Sequence, residues 1–156
     1  MDIARIRMSG RRQFIGTDEA GHSVVMDAKP EHKGDNSGIR PVELVLHALA
    51  GCTAMDVVSI LEKKRQDVRG LEIVVQGRQR EDEFPHIYEY VVVEYIVTGF
   101  DIAPQAVERA IELSEQKYCS VKGMLGPQVR VETSYRIVEA PAPARPAVGD
   151  AHEDGA

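Results

Sequence analysis

The sequence contains no tryptophan and only three phenylalanines, so we expect its hydrophobic core to be built from aliphatic side chains. Its two cysteines are too few for a disulfide-stabilised scaffold, and they do not form a C-x-x-C pair. The 19 basic residues are outnumbered by 25 acidic residues, which gives a net charge of −6. Nucleic-acid-binding proteins need a concentrated basic surface, so this charge balance argues against that class of protein.

Uninterrupted hydrophobic runs are also missing, because Glu43, His47 and Asp56 divide the most apolar stretch. We therefore expect no membrane-spanning segment and no membrane partner. The first seven residues alternate between polar and apolar side chains and contain no apolar core of a signal peptide. These features indicate a cytoplasmic protein, and in that reducing compartment a permanent disulfide is not expected.

The most informative stretch is residues 40–61, RPVELVLHALAGCTAMDVVSIL, which predicts a long helix. Pro41 suits the first helical position because its missing N–H costs nothing there. The basic run 63–65 ends the helix where the helix dipole favours cations. The side chains are apolar on nearly every side, so we expect the helix to be buried in the middle of the domain. Cys52 lies halfway along it.

The pattern around this helix predicts an α+β domain over residues 1–139. Alternating and β-branched segments predict three strands before the helix, and two strands, a second helix and a last strand after it. In order, these are residues 1–8, 13–17, 22–27, 71–80, 88–97, 104–117 and 129–138. The order is therefore βββ-α-ββ-α-β, with mainly antiparallel sheets.

Two further expectations concern the surroundings of this domain. One modest sheet cannot cover two long hydrophobic helices, so we expect a second subunit to cover the rest in a symmetric dimer. Residues 140–156 are rich in alanine, proline and acidic residues. This composition predicts an extended, disordered tail.

The two cysteines, Cys52 and Cys119, are either reactive or simply buried thiols. A cysteine reacts as the thiolate, which a nearby cation or helix N-terminus stabilises. Cys52 lies in mid-helix, so its cation would come from elsewhere, and Arg11, Arg12 and Arg40 are the candidates. If both thiols are reactive, Cys52 would attack the O–O bond of a peroxide, and its sulfenic acid would condense with Cys119 to form a disulfide.

Other chemistries find less support in the residues. Protease-type catalysis needs a histidine beside the thiol, and His47, five residues before Cys52 on the helix, points elsewhere. A zinc site made from the two cysteines and a histidine has no ligand spacing behind it. No glycine-rich phosphate loop is present. We therefore expect neither a metal nor a cofactor.

Residues 43–53, ELVLHALAGCT, and residues 117–121, KYCSV, resemble the OsmC/Ohr family, the osmotically inducible and organic-hydroperoxide-resistance proteins of bacteria. The resemblance extends over about residues 1–138, includes the element order and is strongest to the OsmC-like branch. It implies an intertwined homodimer whose sheets wrap around two central helices packed back to back. It also implies a metal-free thiol peroxidase for organic or hydrogen peroxides, with Cys52 as peroxidatic and Cys119 as resolving cysteine.

The hydroperoxide branch of the family holds its thiolate with an arginine paired with a glutamate, and a dithiol such as a lipoylated protein reduces it. Its carboxylate follows directly after the proline at the start of the helix. Here that position is Val42, and Glu43 comes one residue later, turned by about 100° around the helix. The family arginine comes from the N-terminal strands, where Arg12 is the nearest candidate, with Arg40 a substitute by position. The implied site residues are Cys52, Cys119, Glu43 and Arg40.

The missing glutamate at position 42 favours a second hypothesis. In it, the same fold serves as a dimer that binds small molecules and whose cysteines are merely buried. A third possibility is a redox sensor that reacts with a peroxide once and does not turn over.

Overall fold

The computed structural model describes residues 1–143. The predicted order of strands and helices is confirmed, with a 3-10 turn at Pro30–His32 added before the long helix, and a π-helical turn and a short third helix added before the last strand. The elements are β1 Arg5–Met8, β2 Phe14–Thr17, β3 Ser23–Met26, α1 Glu43–Lys63, β4 Asp67–Gln79, β5 Tyr88–Phe100, α2 Pro104–Leu113, the π-helical turn Ser114–Tyr118, α3 Ser120–Met124 and β6 Arg130–Glu139. The tail predicted over 140–156 lies, from residue 144 onward, outside the described residues.

The strands form two three-stranded sheets. In the first, β1, β2 and β3 make an antiparallel meander. In the second, β4 and β5 form a long antiparallel hairpin, and β6 pairs with β5 in parallel. A parallel pair needs a crossover connection, which α2 and α3 supply between Phe100 and Arg130. The strand pattern in the sequence did not reveal this pairing.

The core lies between α1, α2 and the second sheet. It is largely aliphatic, as the scarcity of aromatic residues predicts, although Tyr88 and Tyr95 belong to it. Every second residue of β5 from Val91 to Val97 is buried, which shows that one face of this strand lies against the helices. No residue before Val42 belongs to this core among the described residues.

Helix α1 differs from its prediction in two ways. It begins at Glu43, because Pro41 lies in the turn before it. It is also not buried all round in the single chain, since only the stripe Leu49, Thr53, Val57 and Leu61 is buried, while Met55 is 70% exposed. By length and composition alone α1 is long and apolar enough to cross a membrane, a test that the core helix of a domain also passes. Its buried stripe nevertheless packs in the core of the domain.

The first sheet stands apart from this core. All four residues of β1 are exposed, and Ile6, Met8, Ile15 and Val25 present apolar side chains to solvent. Exposed apolar side chains such as these, on the first sheet and on α1, are typical of surfaces that a protein partner or a ligand covers.

Candidate functional site

The two cysteines come together although 67 residues separate them in the chain (119 − 52). The Sγ atoms of Cys52 and Cys119 and one carboxylate oxygen of Asp56 lie within 4.8 Å of one another. Both thiols are free; Cys52 is half-buried, whereas Cys119 is only 6% exposed. The packing of α2 and the π-helical turn against α1 therefore creates a dithiol site.

The π-helical turn positions Cys119. It inserts Ser114–Tyr118 after α2, and the backbone N–H of Cys119 donates to the Ser114 carbonyl at 2.8 Å. Cys119 then adopts an extended conformation as the N-cap residue of α3, and the backbone N–H of Lys122 donates to its Sγ at 3.4 Å. Single π-helical turns inside helical segments are frequent at functional sites.

A buried hydrogen-bond chain leads to the dithiol. Ser114 Oγ donates to Asp56 Oδ2 at 2.8 Å, Thr53 Oγ1 lies 2.9 Å from Ser114 Oγ, and the Tyr95 hydroxyl lies 2.6 Å from Thr53 Oγ1. An ionised carboxylate only accepts, and each hydroxyl has a single hydrogen. The donors therefore run in one direction, from Tyr95 to Thr53, from Thr53 to Ser114, and from Ser114 to Asp56.

Burial sets the protonation of two groups here. It raises the pKa of the Cys119 thiol, and the neighbouring Cys52 and Asp56 raise it further, while the hydrogen bond from Lys122 opposes them. Burial also raises the pKa of Tyr95 to about 12. At neutral pH the resting state of Cys119 is thus the thiol, which suits a group that acts second rather than first.

A groove of about 350 Å³ opens beside Asp56. Its walls combine the apolar side chains of Ile60, Leu113 and Tyr118 with two lysines, Lys63 and Lys64. The groove reaches Asp56, whereas neither cysteine belongs to its walls.

Arg40 and Glu43, the other two predicted site residues, form an ion pair with each other. The Arg40 backbone N–H also donates to Glu43 Oε2 at 3.1 Å, and the arginine lowers the pKa of the Glu43 carboxyl. Glu43 precedes Cys52 by nine residues on α1, an axial rise of about 14 Å. Within one chain the ion pair and the dithiol are therefore separate.

The three candidate arginines differ in their surroundings. Arg12 and Arg40 border one cavity of about 270 Å³. Arg11 faces Asp35 instead, at 3.8 Å. The structure thus brings Arg12, the candidate by family position, close to Arg40, its substitute.

Sequence reasoning missed the polar side chains around the dithiol, which are Thr53, Asp56, Tyr95 and Ser114. The sequence pattern marks Asp56 only as a polar residue that interrupts a hydrophobic run. The available signal was its spacing, because Asp56 follows Cys52 by four residues and shares its helix face. With the two cysteine sulfurs, the Asp56 carboxylate forms a set of three possible metal donors, whereas the sequence suggested only a histidine as the third donor.

His47 is exposed, and its Nδ1 lies 2.9 Å from the Glu43 carbonyl oxygen.

Comparison with known proteins identifies similar chains. The sequence model of the family described as OsmC-like protein matches residues 34–134. Protein YhfA of Escherichia coli K12 is 41% identical over 137 residues, which cover 88% of this chain and 98% of that protein. Protein YhfA of Shigella flexneri matches with the same identity and coverage.

Solved structures give a consistent result. The crystal structure of a hypothetical protein from Aquifex aeolicus VF5 has a TM-score of 0.78 and 28% identity, covering 90% of this chain and 98% of that one. An organic hydroperoxide resistance protein OsmC from Legionella pneumophila has a TM-score of 0.67 and 14% identity, covering 86% and 96%. At this low identity the second likeness is evidence for a shared fold alone.

Proposed function

The chain belongs to the OsmC-like protein family, and we propose that it is a thiol-dependent peroxidase for organic or hydrogen peroxides. The observation that carries the proposal is the convergence of Cys52 and Cys119, whose sulfur atoms lie within 4.8 Å. Two cysteines this close are consistent with redox function, because a sulfenic acid on one is within reach of the other.

The exposure of the two thiols supports different roles for them. Cys52 is the more accessible, so its thiolate attacks the peroxide; an S–O bond forms, the O–O bond breaks, and alcohol or water leaves. The sulfur of Cys119 then attacks the Cys52 sulfenic acid, and the departing hydroxide leaves as water with the Cys119 proton. The Asp56 carboxylate, within 4.8 Å of both sulfurs, is placed to relay this proton. A dithiol, such as a lipoylated protein, reduces the disulfide.

The groove beside Asp56 supports an organic substrate. Its apolar walls and two lysines suit a hydroperoxide with a hydrocarbon body, as the name of the Legionella neighbour, organic hydroperoxide resistance protein, also suggests. In this proposal the protein acts in the cytoplasm as part of an oxidative stress response.

The open apolar surfaces support a homodimer. Met55 on α1 and Ile6 and Met8 on β1 are exposed in the single chain, and a second copy would cover them. A second copy would also bring another Arg40–Glu43 pair to the dimer interface. We assign to this pair of the partner subunit the stabilisation of the Cys52 thiolate, because the pair in the same chain is about 14 Å away along the helix.

Steady-state peroxide consumption tests the proposal. Wild-type protein, Cys52→Ser and Cys119→Ser are compared with cumene hydroperoxide and hydrogen peroxide, using dihydrolipoamide as reductant. We expect Cys52→Ser to be inactive, and Cys119→Ser to react once and accumulate a sulfenic acid that a dimedone-type probe labels. Unchanged peroxide consumption in both variants would contradict the assignment.

One observation favours a non-enzymatic function instead. Because Glu43 is one residue out of the family position and is paired with Arg40 away from Cys52, the fold could serve as a small-molecule-binding dimer or a redox sensor. Titration of native thiols with an aromatic disulfide separates these functions. A Cys52 that does not react indicates a binder, and one that reacts with peroxide but does not turn over with reductant indicates a sensor.

A further inference from the structure

The dithiol site contains the donor set of a metal centre. Two sulfur atoms and one carboxylate oxygen, from Cys52, Cys119 and Asp56, lie within 4.8 Å of one another. We propose that, when both thiols are reduced, these three side chains bind a thiophilic divalent cation, with Zn²⁺ as the preferred ion. Binding of this ion does not require peroxidase activity, so it can occur whether or not the protein is a peroxidase.

The geometry needs little adjustment. A tetrahedral zinc ion with Zn–S bonds near 2.3 Å and a Zn–O bond near 2.1 Å holds its donors about 3.6–3.8 Å apart. Cys52 and Asp56 project from the same face of α1, one turn apart, and Cys119 approaches from the start of α3. Small side-chain rotations therefore bring the donors, now within 4.8 Å, to bonding separation. Three protein donors leave the fourth position to water.

Neighbouring hydrogen bonds already orient two of the donors. Ser114 Oγ donates to Asp56 Oδ2 at 2.8 Å, which fixes the carboxylate and leaves its other oxygen for the metal. The backbone N–H of Lys122 donates to Cys119 Sγ at 3.4 Å, a contact that favours the thiolate. Such outer contacts are typical of metal centres, where they hold the ligands in place and tune their basicity.

The charge and softness of the donors select the ion. Two thiolates and a carboxylate would gather three negative charges in a partly buried place, and a divalent cation offsets that repulsion. The nearby ammonium of Lys122 is paired with Glu115 at 2.8 Å, so it does not neutralise the dithiol. Thiolates prefer Zn²⁺ to the hard cations Mg²⁺ and Ca²⁺.

One consequence rests on the proposed function. The metal and the disulfide use the same two sulfur atoms, so they exclude each other. A hydroperoxide that takes two electrons from the bound dithiolate, together with two protons, yields the disulfide, an alcohol and water, and releases Zn²⁺. The metal would thus protect the reduced dithiol and report its oxidation.

Metal titration of the reduced full-length protein tests the site. Protein freed of metal by a chelator is titrated with Zn²⁺ against a chromophoric competitor, and with Co²⁺ to detect thiolate-to-metal charge transfer. We expect one ion per chain, at least a tenfold loss of affinity in Asp56→Asn, and about half of the charge-transfer intensity in Cys119→Ser. Asp67→Asn is the matched control, because its exposed carboxylate pairs with Arg69 at 2.7 Å outside the site, and it should bind as the wild type does.

Three results would overturn the site. They are the lack of stoichiometric Zn²⁺ binding, affinity unchanged in Asp56→Asn and Cys52→Ser, and equal binding by protein oxidised to the disulfide with diamide. Cys52→Ser keeps the test decisive if Asp56→Asn does not fold, since serine replaces a half-buried thiol of similar size. Peroxide turnover is measured separately in chelator. Zinc binding without turnover contradicts only the peroxidase, and turnover without zinc binding contradicts only the metal site.

Discussion

Ser114 Oγ donates a 2.8 Å hydrogen bond to the carboxylate of Asp56. This bond joins the π-helical turn that directly precedes Cys119 to the helix that carries Cys52. Ser114 is fully buried, and it also accepts a hydrogen bond from Thr53 at 2.9 Å. The approach of the two thiols therefore depends on a buried polar network as well as on apolar packing.

Replacement of Ser114 by alanine should destabilise the fold and loosen the dithiol. The change leaves the hydroxyl hydrogen of Thr53 without its acceptor and removes the hydrogen bond to the Asp56 carboxylate, and an unsatisfied buried polar group costs about 1–3 kcal/mol. We expect the free energy of unfolding of the reduced protein, measured by urea denaturation, to fall by that amount. Disulfide formation with a mild oxidant should also slow, because Cys119 is held less firmly.

Ser134→Ala is the matched control for this variant. Ser134 is an exposed serine in β6, so its replacement should change the free energy of unfolding by less than about 0.5 kcal/mol. Equal free energies of unfolding for the two variants would show that the hydrogen bonds of Ser114 contribute no net stability, because water replaces them equally well.

Much of the fold could be predicted from local patterns in the sequence. The long helix was predictable because its apolar run and its closing basic residues are local signals, and the β4–β5 hairpin was predictable from its β-branched strands. The parallel pairing of β6 was not, because it depends on how α2 and α3 carry the chain back across the sheet. The convergence of Cys52 and Cys119 likewise depends on the tertiary position of the π-helical turn.

Helix α1 shows a second limit of sequence reasoning. The sequence shows that nearly every side of the helix is apolar. It does not show which sides the chain itself covers and which sides a second molecule would cover. Only the stripe from Leu49 to Leu61, repeating every four residues, is buried by the chain itself. Asp56 shows a third limit, since a carboxylate in an apolar helix is a solvent contact or a site residue depending on what packs opposite, here Ser114.

Substitution of Met55 by glutamate should convert the protein to a monomer. Met55 is 70% exposed on the apolar side of α1 that the chain leaves uncovered. In the proposed dimer, a carboxylate at this position would be buried without a partner, at a cost of several kcal/mol. Sedimentation velocity should show a single species of twice the chain mass for the wild type and of one chain mass for Met55→Glu.

Phe84→Glu serves as the matched control for the oligomeric state. Phe84 is 84% exposed, but it lies in the β4–β5 hairpin loop rather than on α1. This variant should sediment as the wild type does. A dimeric Met55→Glu protein would place the interface on a different surface.

Tyr95 should make the fold sensitive to alkali. Burial raises its pKa from the usual 10.0 to about 12, so between these values the unfolded state loses the proton while the folded state keeps it. The resulting stabilisation is complete below pH 10 and is lost as the pH rises toward 12. In Tyr95→Phe, the decline of the free energy of unfolding over this range should be shallower by up to about 1.4 kcal/mol per pH unit.

Urea denaturation at a series of pH values measures this difference. Tyr118→Phe is the comparison variant, because Tyr118 is 47% exposed whereas Tyr95 is 1% exposed. In Tyr118→Phe, the free energy of unfolding should decline with rising pH as steeply as in the wild type. Parallel curves for wild type and Tyr95→Phe would show that the buried hydroxyl is not responsible.

Asp27 should control stability at the acid end. Its buried carboxylate accepts hydrogen bonds from the hydroxyl and backbone N–H of Ser37, at 2.7 and 3.0 Å, and from the backbone N–H groups of Ala28 and Asp35, at 2.7 and 3.1 Å. These bonds, those of Ser37 first, lower the pKa of Asp27 from its usual 3.8 to about 2. They hold together the loop between β3 and α1, which also contains Arg40.

Because the folded carboxyl has the lower pKa, the unfolded chain takes up the proton first as the pH falls. The stabilisation is therefore complete above about pH 4 and is lost toward pH 2. Asp27→Asn should be less stable at pH 7 and should lose less of its remaining stability between pH 4 and pH 2, as measured by urea denaturation. Asp35→Asn, in the same loop, removes an exposed carboxylate 3.8 Å from Arg11 and should follow the wild-type curve closely. If both variants showed the same acid profile, charge on the loop rather than the Asp27 hydrogen bonds would set the acid stability of the fold.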